Sequence, residues 1–251
     1  MKSLKIEQYL RSVQLNKEKI DSFNKYPFYL KAIKNLSTLE FDPKVTFIVG
    51  ENGTGKSTIL EAIAIACGFN PEGGTKNFNF TSRASHSELH NHIKVVKGIK
   101  RPKDGFFLRA ESFYNMATNI EELDKDGVAP RIIDSYGGRS LHEQSHGESF
   151  FAVFMNRFVG NGLYILDEPE AALSPSRQMS MITRMHQLAL LGSQFIIATH
   201  SPIIMAYPDA LIYEIRDEGF TKVKYQETEH YIVMKSFLNN PEKMLDILIK
   251  E

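Results

Sequence analysis

The sequence of 251 residues has no tryptophan, a single cysteine and no net charge. One cysteine, Cys67, excludes an internal disulfide framework and fits a reducing compartment, and we expect it to be a small buried hydrophobe. The 30 basic and 30 acidic residues balance, so overall charge does not indicate nucleic acid as a partner and any such site must be local. No apolar run approaches ~20 residues and no secretory signal is evident. We therefore expect a cytoplasmic protein with no membrane segment.

The composition is that of an ordinary globular protein. Hydrophobic residues make up 42% of the chain and charged residues 24%, which predicts a packed core rather than a disordered or fibrous protein. The length fits one domain over residues 1–251. We expect an α/β fold with an inserted antiparallel and helical subdomain at about residues 75–145, where turn signals are frequent.

Three short apolar runs predict a mostly parallel central sheet. Val45–Val49, Leu163–Leu166 and Phe195–Ala198 each end in polar residues, as strands do when their carboxyl ends line a ligand crevice. A helical apolar pattern follows the first run and stops at Gly68. A second predicted helix starts at Ser174-Pro175, as N-cap and first position, and leads into the third run.

The remaining elements are predicted from weaker signals. Strands are expected near residues 91–111, where Ile93–Arg101 carries several basic side chains and is interpreted as a solvated hairpin rather than a phosphate contact. Towards the end of the sequence we expect a strand at Ala210–Ile215 and two short helices divided by Asn239-Asn240-Pro241.

A glycine-rich segment after the first predicted strand matches the G-x-x-x-x-G-K-[ST] pattern of a phosphate-binding loop. In such a loop backbone N–H groups wrap the phosphates, the lysine neutralises β- and γ-phosphate charge, and the serine ligates Mg²⁺. The helix start that follows is itself an anion site. A glycine turn before an unrelated helix is the less favoured interpretation. The predicted ATP-binding residues are Gly50, Glu51, Asn52, Gly53, Thr54, Gly55, Lys56, Ser57 and Thr58.

Two further motifs predict catalytic groups beside this loop. Asp167 and Glu168 end the second apolar run; Asp167 would hold Mg²⁺ and Glu168 would polarise the attacking water, although an acidic helix-capping pair is the alternative. His200 follows the third run and could hydrogen-bond the γ-phosphate, although a lone histidine there is more often structural. Together with Lys56, Glu168 and His200 are the predicted catalytic residues.

These residues resemble the ATP-binding-cassette (ABC) ATPases, in the soluble branch that includes SMC-like, RecF-like and OLD-like proteins. The resemblance rests on Asp-Glu-Pro-Glu-Ala-Ala-Leu-Ser-Pro at 167–175 and Thr-His-Ser-Pro at 199–202. Residues 134–149 look like the corresponding part of small stand-alone bacterial ATPases of this branch. The resemblance implies a P-loop NTPase fold and an ATPase that uses ATP and Mg²⁺.

The family's signature turn resembles Ser145-His146-Gly147-Glu148, in which His146 and Glu148 depart from the commonest residues. The resemblance implies that these four residues contact ATP bound to a second copy, so that ATP drives formation of a homodimer. The family's magnesium-facing glutamine has no clear counterpart. Glu111 could take that role, with a surface salt bridge as an equally favoured alternative. Glu229-His230 is interpreted as a solvated or capping pair.

Three functions follow from this resemblance. The leading hypothesis is an ATPase whose ATP-driven dimerisation acts on a separate effector protein or a nucleic-acid-related process. The alternatives are an ATP-binding subunit of a membrane transporter and a slow nucleotide-dependent binding switch. Too few residues separate Ser57 from Ser145 for the long coiled-coil arm of a chromosome-tethering SMC protein.

Overall fold

The computed structural model describes residues 8–76, 87–125 and 131–249. Its centre is a six-stranded sheet in the order β5-β6-β7-β3-β8-β9. Neighbouring strands are parallel, except that β9 runs antiparallel to β8. The strands are β3 (Val45–Val49), β5 (Asp104–Arg109), β6 (Gly162–Asp167), β7 (Gln194–Ala198), β8 (Leu211–Arg216) and β9 (Gly219–Val223). The three strands predicted from apolar runs are confirmed, as is the strand at Ala210–Ile215.

Helices cover both faces of this sheet, so the central strands are buried on both sides. Along β3 the side chains alternate: Phe47 belongs to one hydrophobic core and Ile48 to the other. Continuous apolar runs are the pattern expected of such doubly covered parallel strands. The helices are α1 (Lys31–Lys34), α2 (Lys56–Ala66), α3 (Phe113–Lys125), α4 (His146–Asn156), α5 (Pro175–Leu190), α6 (Pro202–Met205), α7 (Glu229–Asn239) and α8 (Pro241–Ile249).

The two helices predicted beside the central strands are confirmed. Helix α2 begins at Lys56 and supplies Ile59, Leu60 and Ile63 to one core. Helix α5 begins after Ser174, whose side chain accepts a hydrogen bond from the backbone of Arg177, and a proline occupies the first turn. Cys67, at the end of α2, is buried as expected.

A second, three-stranded antiparallel sheet has the order β2-β1-β4 and consists of β1 (Leu10–Leu15), β2 (Thr38–Glu40) and β4 (Ile93–Lys97). The predicted hairpin at Ile93–Arg101 is wrong. Strand β4 pairs with β1, about eighty residues earlier, and β5 pairs in parallel with β6 instead of turning back on β4. Because β6 lies more than fifty residues after β5, no tight turn joins the two strands, and the local sequence does not indicate their pairing.

Part of the region predicted as an insertion therefore belongs to the central sheet, because β5 forms its edge. Helix α3 and residues 131–145 pack against the same core as α4 and α5. Residues 77–86 and 126–130 of that region lie outside the described residues. The division of the chain into domains stays a prediction.

Helices α7 and α8 extend from the main body as a pair. The predicted break is confirmed, because Asn240 ends α7 and Pro241 begins α8. Neither helix has a fully buried residue, and Leu238 and Leu248 are about 70% exposed. Among the described residues no helix is long and apolar enough to cross a membrane.

Candidate functional site

The predicted site residues meet at the carboxyl edge of the central sheet. The glycine-rich loop follows β3, Asp167 ends β6 and His200 follows β7 by two residues. Strand β7 lies between β3 and β6 in the sheet, so all three motifs open onto the same crevice. This is the edge at which open parallel sheets bind their ligands.

The loop before α2 has a backbone that glycine permits. Gly50, Gly53 and Gly55 all have positive φ angles. At Gly55, where φ is 102°, a β-carbon would also approach the side chains of Leu30 and Ala32 to 3.2 Å. Glycine is therefore required both by the conformation and by the close approach of α1.

The side chain of Lys56 folds back over this loop. Its ammonium donates to the backbone oxygens of Gly50 at 2.9 Å and Glu51 at 2.8 Å, and the residue is only 4% exposed. The hydroxyl of Thr54 also donates to the Glu51 oxygen. Burial lowers the pKa of Lys56, while Glu168 and Asp167 oppose that shift. A buried cation is thus held against the glycine-rich loop, where a lysine can neutralise phosphate charge.

The other residues of the loop are more open. Glu51, Asn52 and Gly53 are exposed, and Ser57 and Thr58 are half-buried in the first turn of α2. The N–H groups of this turn have no partners within the helix and carry the positive end of its dipole. A negatively charged group is therefore favoured beside Ser57 and Thr58.

Ser57 and Asp167 are in direct contact. The serine hydroxyl donates to Asp167 Oδ1 at 3.0 Å. Asp167 is buried, and burial raises its pKa to about 6, although Arg109 and the bond from Ser57 lower it. A desolvated carboxylate beside a hydroxyl is a donor set that suits a hard cation such as Mg²⁺.

Arg109, at the end of β5, links this carboxylate to two other acidic side chains through ion pairs. Its guanidinium contacts Glu61 at 2.9 Å, Glu111 at 3.2 Å and Asp167 at 3.6 Å. The side chains of Arg109 and Glu61 are 14% and 11% exposed. Arg109 was not among the residues predicted from the sequence, although its position at a strand end next to Glu111 was a usable signal.

Glu111 lies at the edge of this region, with a side chain 85% exposed. It pairs with Arg109, as its alternative interpretation expected, and it also lines a cleft of about 410 Å³ together with Ser57, Asp167 and Glu168, so its magnesium-facing role stays a prediction. Among the described residues no three acidic, histidine or cysteine side chains are grouped to hold a metal by themselves.

Glu168 has a left-handed backbone, with φ 51° and ψ 53°. This conformation is costly for a residue with a side chain, by about 1–2 kcal/mol, and such residues cluster at functional sites. The turn directs the carboxylate to His200, with 3.6 Å between Glu168 Oε1 and His200 Nε2. The backbone N–H of His200 donates to the carboxylate of Glu170, which ties the two loops together.

His200 is held on its other side by a second histidine, His230. His200 Nδ1 lies 2.9 Å from His230 Nε2. Burial lowers the pKa of His200, Lys56 and His230 lower it further, and Glu168 raises it. The interpretation of Glu229-His230 as a solvated or capping pair is therefore wrong for His230. Thirty residues separate the two histidines, so no local pattern could have paired them.

The residues resembling a signature turn lie at the start of α4. The Ser145 side chain accepts from the Glu148 backbone, and the Glu148 carboxylate accepts from the Ser145 backbone, so the two residues form a capping box. His146 is the first residue of the helix. A β-carbon on Gly147 would lie 2.4 Å from the Ala172 oxygen, so glycine is needed for packing against the loop that follows Glu168.

Comparisons with known proteins give two family matches on this chain. A family model described as an AAA domain matches residues 17–129, and one described as an AAA ATPase domain matches residues 149–205. The first match contains the glycine-rich loop, and the second contains Asp167, Glu168 and His200.

Among curated proteins, the chain is 27% identical over 171 residues to the ABC transporter ATP-binding/permease protein Rv1747 of Mycobacterium tuberculosis. That alignment covers 62% of this chain and 19% of the relative. The chain spans less than a third of the length of the first two curated relatives: 19% of Rv1747 and 28% of the next.

Among solved structures, cbiO1 of Clostridium perfringens, part of the ABC transporter complex cbiONQ, superposes with a TM-score of 0.54 at 17% identity. The match covers 94% of this chain and 97% of cbiO1. The SMC head domain from Thermotoga maritima matches with a TM-score of 0.47 at 15% identity, over 86% and 99% of the two chains. At 17% identity the likeness to cbiO1 shows the fold, which is that of an ABC-type P-loop ATPase.

Proposed function

We propose that this chain, which carries a P-loop ATPase domain of the ABC type, binds ATP with Mg²⁺ and hydrolyses its terminal phosphate. The observation that carries the proposal is the position of Glu168 beside His200 at the sheet edge that also holds the Ser57–Asp167 pair. Phosphate binding, metal binding and proton transfer need groups of these kinds within one crevice.

The residues that would bind the phosphates are the loop from Gly50 to Ser57 and the start of α2. Their backbone N–H groups stabilise the phosphate oxygens, and Lys56 exchanges its two backbone contacts for the β- and γ-phosphates. Ser57 and Asp167 would hold Mg²⁺, with Glu111 at the mouth of the same cleft. Bound there, Mg²⁺ would offset the negative charge that develops on the phosphates.

Glu168 would act as the general base, and His200 would donate a hydrogen bond to the γ-phosphate. The carboxylate of Glu168 accepts a proton from water as the water oxygen bonds to the γ-phosphorus and the bond to the bridging β–γ oxygen breaks. ADP and inorganic phosphate are the products. His200 donates a hydrogen bond from Nε2 to the γ-phosphate, and its contact with Glu168 keeps the two groups aligned.

The second half of the nucleotide site would come from another copy of this chain. Ser145, His146, Gly147 and Glu148 open α4, so its N–H groups can contact a γ-phosphate presented by the partner. Two copies related by a twofold axis would enclose two ATP molecules. The dimer would open after hydrolysis. An effector protein or a nucleic acid that binds only the closed or only the open dimer would then be bound and released once per ATP cycle.

Glu168→Gln is the decisive test. We expect turnover of ATP to fall by about 10²–10⁴-fold while ATP binding persists, because the amide cannot accept the proton. Glu122→Gln, an exposed change on α3, is the control and is expected to keep wild-type turnover. A Glu168→Gln protein with an unchanged rate would remove Glu168 from the mechanism.

Assembly of the site from two copies can be tested by varying the protein concentration. The specific rate should rise with protein concentration over a hundredfold range, and Glu168→Gln should accumulate as an ATP-bound dimer in sedimentation experiments. A rate proportional to protein at all concentrations, with monomers throughout, would contradict assembly of the site from two copies.

A transporter subunit is a second candidate, favoured by the similar proteins: Rv1747 is an ABC transporter ATP-binding/permease protein and cbiO1 is part of a transporter complex. It predicts that a membrane partner in lipid stimulates ATP hydrolysis. Full turnover by the purified chain alone, with no stimulation, would favour the effector model. Tight ATP binding with slow turnover that Glu168→Gln leaves unchanged would favour a binding switch.

A further inference from the structure

The start of α7 is fastened to the segment that carries His200. The hydroxyl of Tyr225 donates to the backbone oxygen of Pro202 at 2.9 Å. The backbone of Glu229 donates to Glu214 at 2.8 Å, on the buried side of β8. The N-cap Thr228 is fully buried. The start of α7 is thus fixed at the crevice by its buried N-cap and these hydrogen bonds, although no residue of the helix itself is buried.

His230 uses this fixed position to contact His200. Both side chains are half-buried, with ring centroids 5.1 Å apart and the rings inclined at 56°. Burial is the main cause that lowers the pKa of each ring, and the charges facing His230 are Glu229, Lys56 and Glu214. Two neutral imidazoles at 2.9 Å share one N–H···N hydrogen bond, since one nitrogen must donate and the other accept.

The surroundings distinguish the two ways of placing that proton. If His200 Nδ1 donates, its Nε2 is a bare lone pair that faces the Glu168 carboxylate, and the buried His230 Nδ1–H has no acceptor among the described residues. If His230 Nε2 donates, His200 carries its proton on Nε2, facing the carboxylate. His230 Nδ1 is then an unpartnered acceptor. His200 Nε2–H has no hydrogen bond among the described residues, but at 3.6 Å it attracts the Glu168 carboxylate, whereas a lone pair there would repel it.

We propose that His230 is a positioning residue for ATP hydrolysis: its Nε2–H holds His200 in the tautomer that carries the Nε2 proton towards Glu168 and the γ-phosphate. This inference rests on the proposed function. A histidine that donates or accepts in catalysis commonly has its other ring nitrogen fixed in this way. Because His230 belongs to α7, the catalytic histidine is also connected to the exposed α7–α8 pair.

The kinetic experiment compares two replacements of His230. His230→Phe keeps a ring and loses the hydrogen bond, and we expect kcat to fall by about tenfold with KM for ATP within about twofold, as for other groups that orient a functional histidine. His230→Gln places an amide N–H near the original Nε2 and should recover most of kcat. His186→Phe is the matched control, because His186 also bonds a side chain, that of Tyr207.

A double-mutant cycle separates positioning from general support of the fold. In a His200→Ala background, His230→Phe should have almost no further effect on kcat, because the group that it orients is gone. An equal loss of kcat in both backgrounds would overturn the proposal, as would wild-type kcat in His230→Phe.

A spectroscopic measurement does not depend on activity or on the folding of a His230 variant. In the ¹⁵N-histidine-labelled wild-type protein, His200 should show the Nε2–H tautomer, with its signals assigned by their loss in His200→Ala. An Nδ1–H tautomer for His200 would overturn the proposal. If Glu168→Gln abolishes turnover and His230→Phe does not alter it, this inference fails and the ATPase stands. If the wild-type protein with Mg²⁺ does not turn over ATP, the proposed function fails, whereas the tautomer of His200 still shows whether His230 holds it.

Discussion

The carboxylate of Glu148 occupies the anion-binding end of the helix that Ser145 opens: Glu148 Oε2 accepts from the Ser145 backbone at 3.1 Å and from its hydroxyl at 2.8 Å. These hydrogen bonds lower the pKa of Glu148, with a smaller contribution from Arg177. Within one chain, Glu148 therefore takes the place that a partner's γ-phosphate would take in the proposed dimer.

Glu148→Gln should make ATP-driven dimerisation easier, because the neutral amide competes less with a phosphate for the same donors. We expect the protein concentration at half-maximal specific rate to fall several-fold, a change on the scale of a single surface charge. Glu143 and Glu148 line one surface cleft beside the start of α4, so Glu143→Gln is the control. An increase in that concentration would show that the Glu148 carboxylate supports the dimer.

Asp167→Asn should change the pH dependence of stability. Asp167 has a pKa of about 6 in the fold, against an ordinary value of 3.8. The folded state therefore retains a proton that the unfolded state has lost, so the stabilisation is complete below pH 3.8 and disappears as pH rises through 6. Relative to the Asn variant, the wild-type free energy of unfolding should fall by on the order of 3 kcal/mol from about pH 4 to about pH 7. Urea titrations with EDTA present measure it, and parallel pH curves would contradict it.

Arg109→Gln should be strongly destabilising, because it leaves the buried carboxylates of Glu61 and Asp167 without their cation. Breaking a buried ion pair on one side costs about 3–5 kcal/mol. The loss should be smaller at about pH 5, where Asp167 is more protonated. Arg131→Gln removes an exposed ion pair with Asp134 and should cost less than about 1 kcal/mol. Equal losses for the two variants in urea unfolding would be the contrary result.

Gly147→Ala tests the packing of α4 on the loop after Glu168. The added methyl would lie 2.4 Å from the Ala172 oxygen, and backbone on both sides limits the relaxation. We expect a loss of about 1–3 kcal/mol in the free energy of unfolding, as for other overpacked sites. Ser180→Ala, on the exposed face of α5, should stay within about 0.5 kcal/mol of wild type. A stable Gly147→Ala protein would mean that α4 can shift away from the loop.

The parts of the site that were predictable from sequence are those that strand ends specify. The glycine-rich loop before Lys56, together with Asp167 and His200, lies at or just after the ends of buried apolar runs, and parallel strands bring their carboxyl ends to one edge. That geometry needs no knowledge of the rest of the fold, so the strand ends alone predict that the three motifs share one crevice.

The parts that were missed depend on contacts between distant segments. Arg109 forms its ion pairs because α2 and β6 place Glu61 and Asp167 beside the end of β5. His230 contacts His200 because the chain returns to the crevice after β8 and β9. The pairing of Ile93–Lys97 with β1 was missed for the same reason. Register and partner choice between distant strands follow from burial of the whole sheet, which a local pattern does not contain.

The left-handed backbone of Glu168 implies a conflict between folding and catalysis at one position. Glycine or asparagine would adopt this turn at lower cost, but neither carries a carboxylate for the water molecule. In a library of variants selected for thermal resistance alone, position 168 should drift to those residues, whereas selection for turnover should return glutamate. The residue found at this position in any descendant of the sequence would then record which of the two pressures had acted on it.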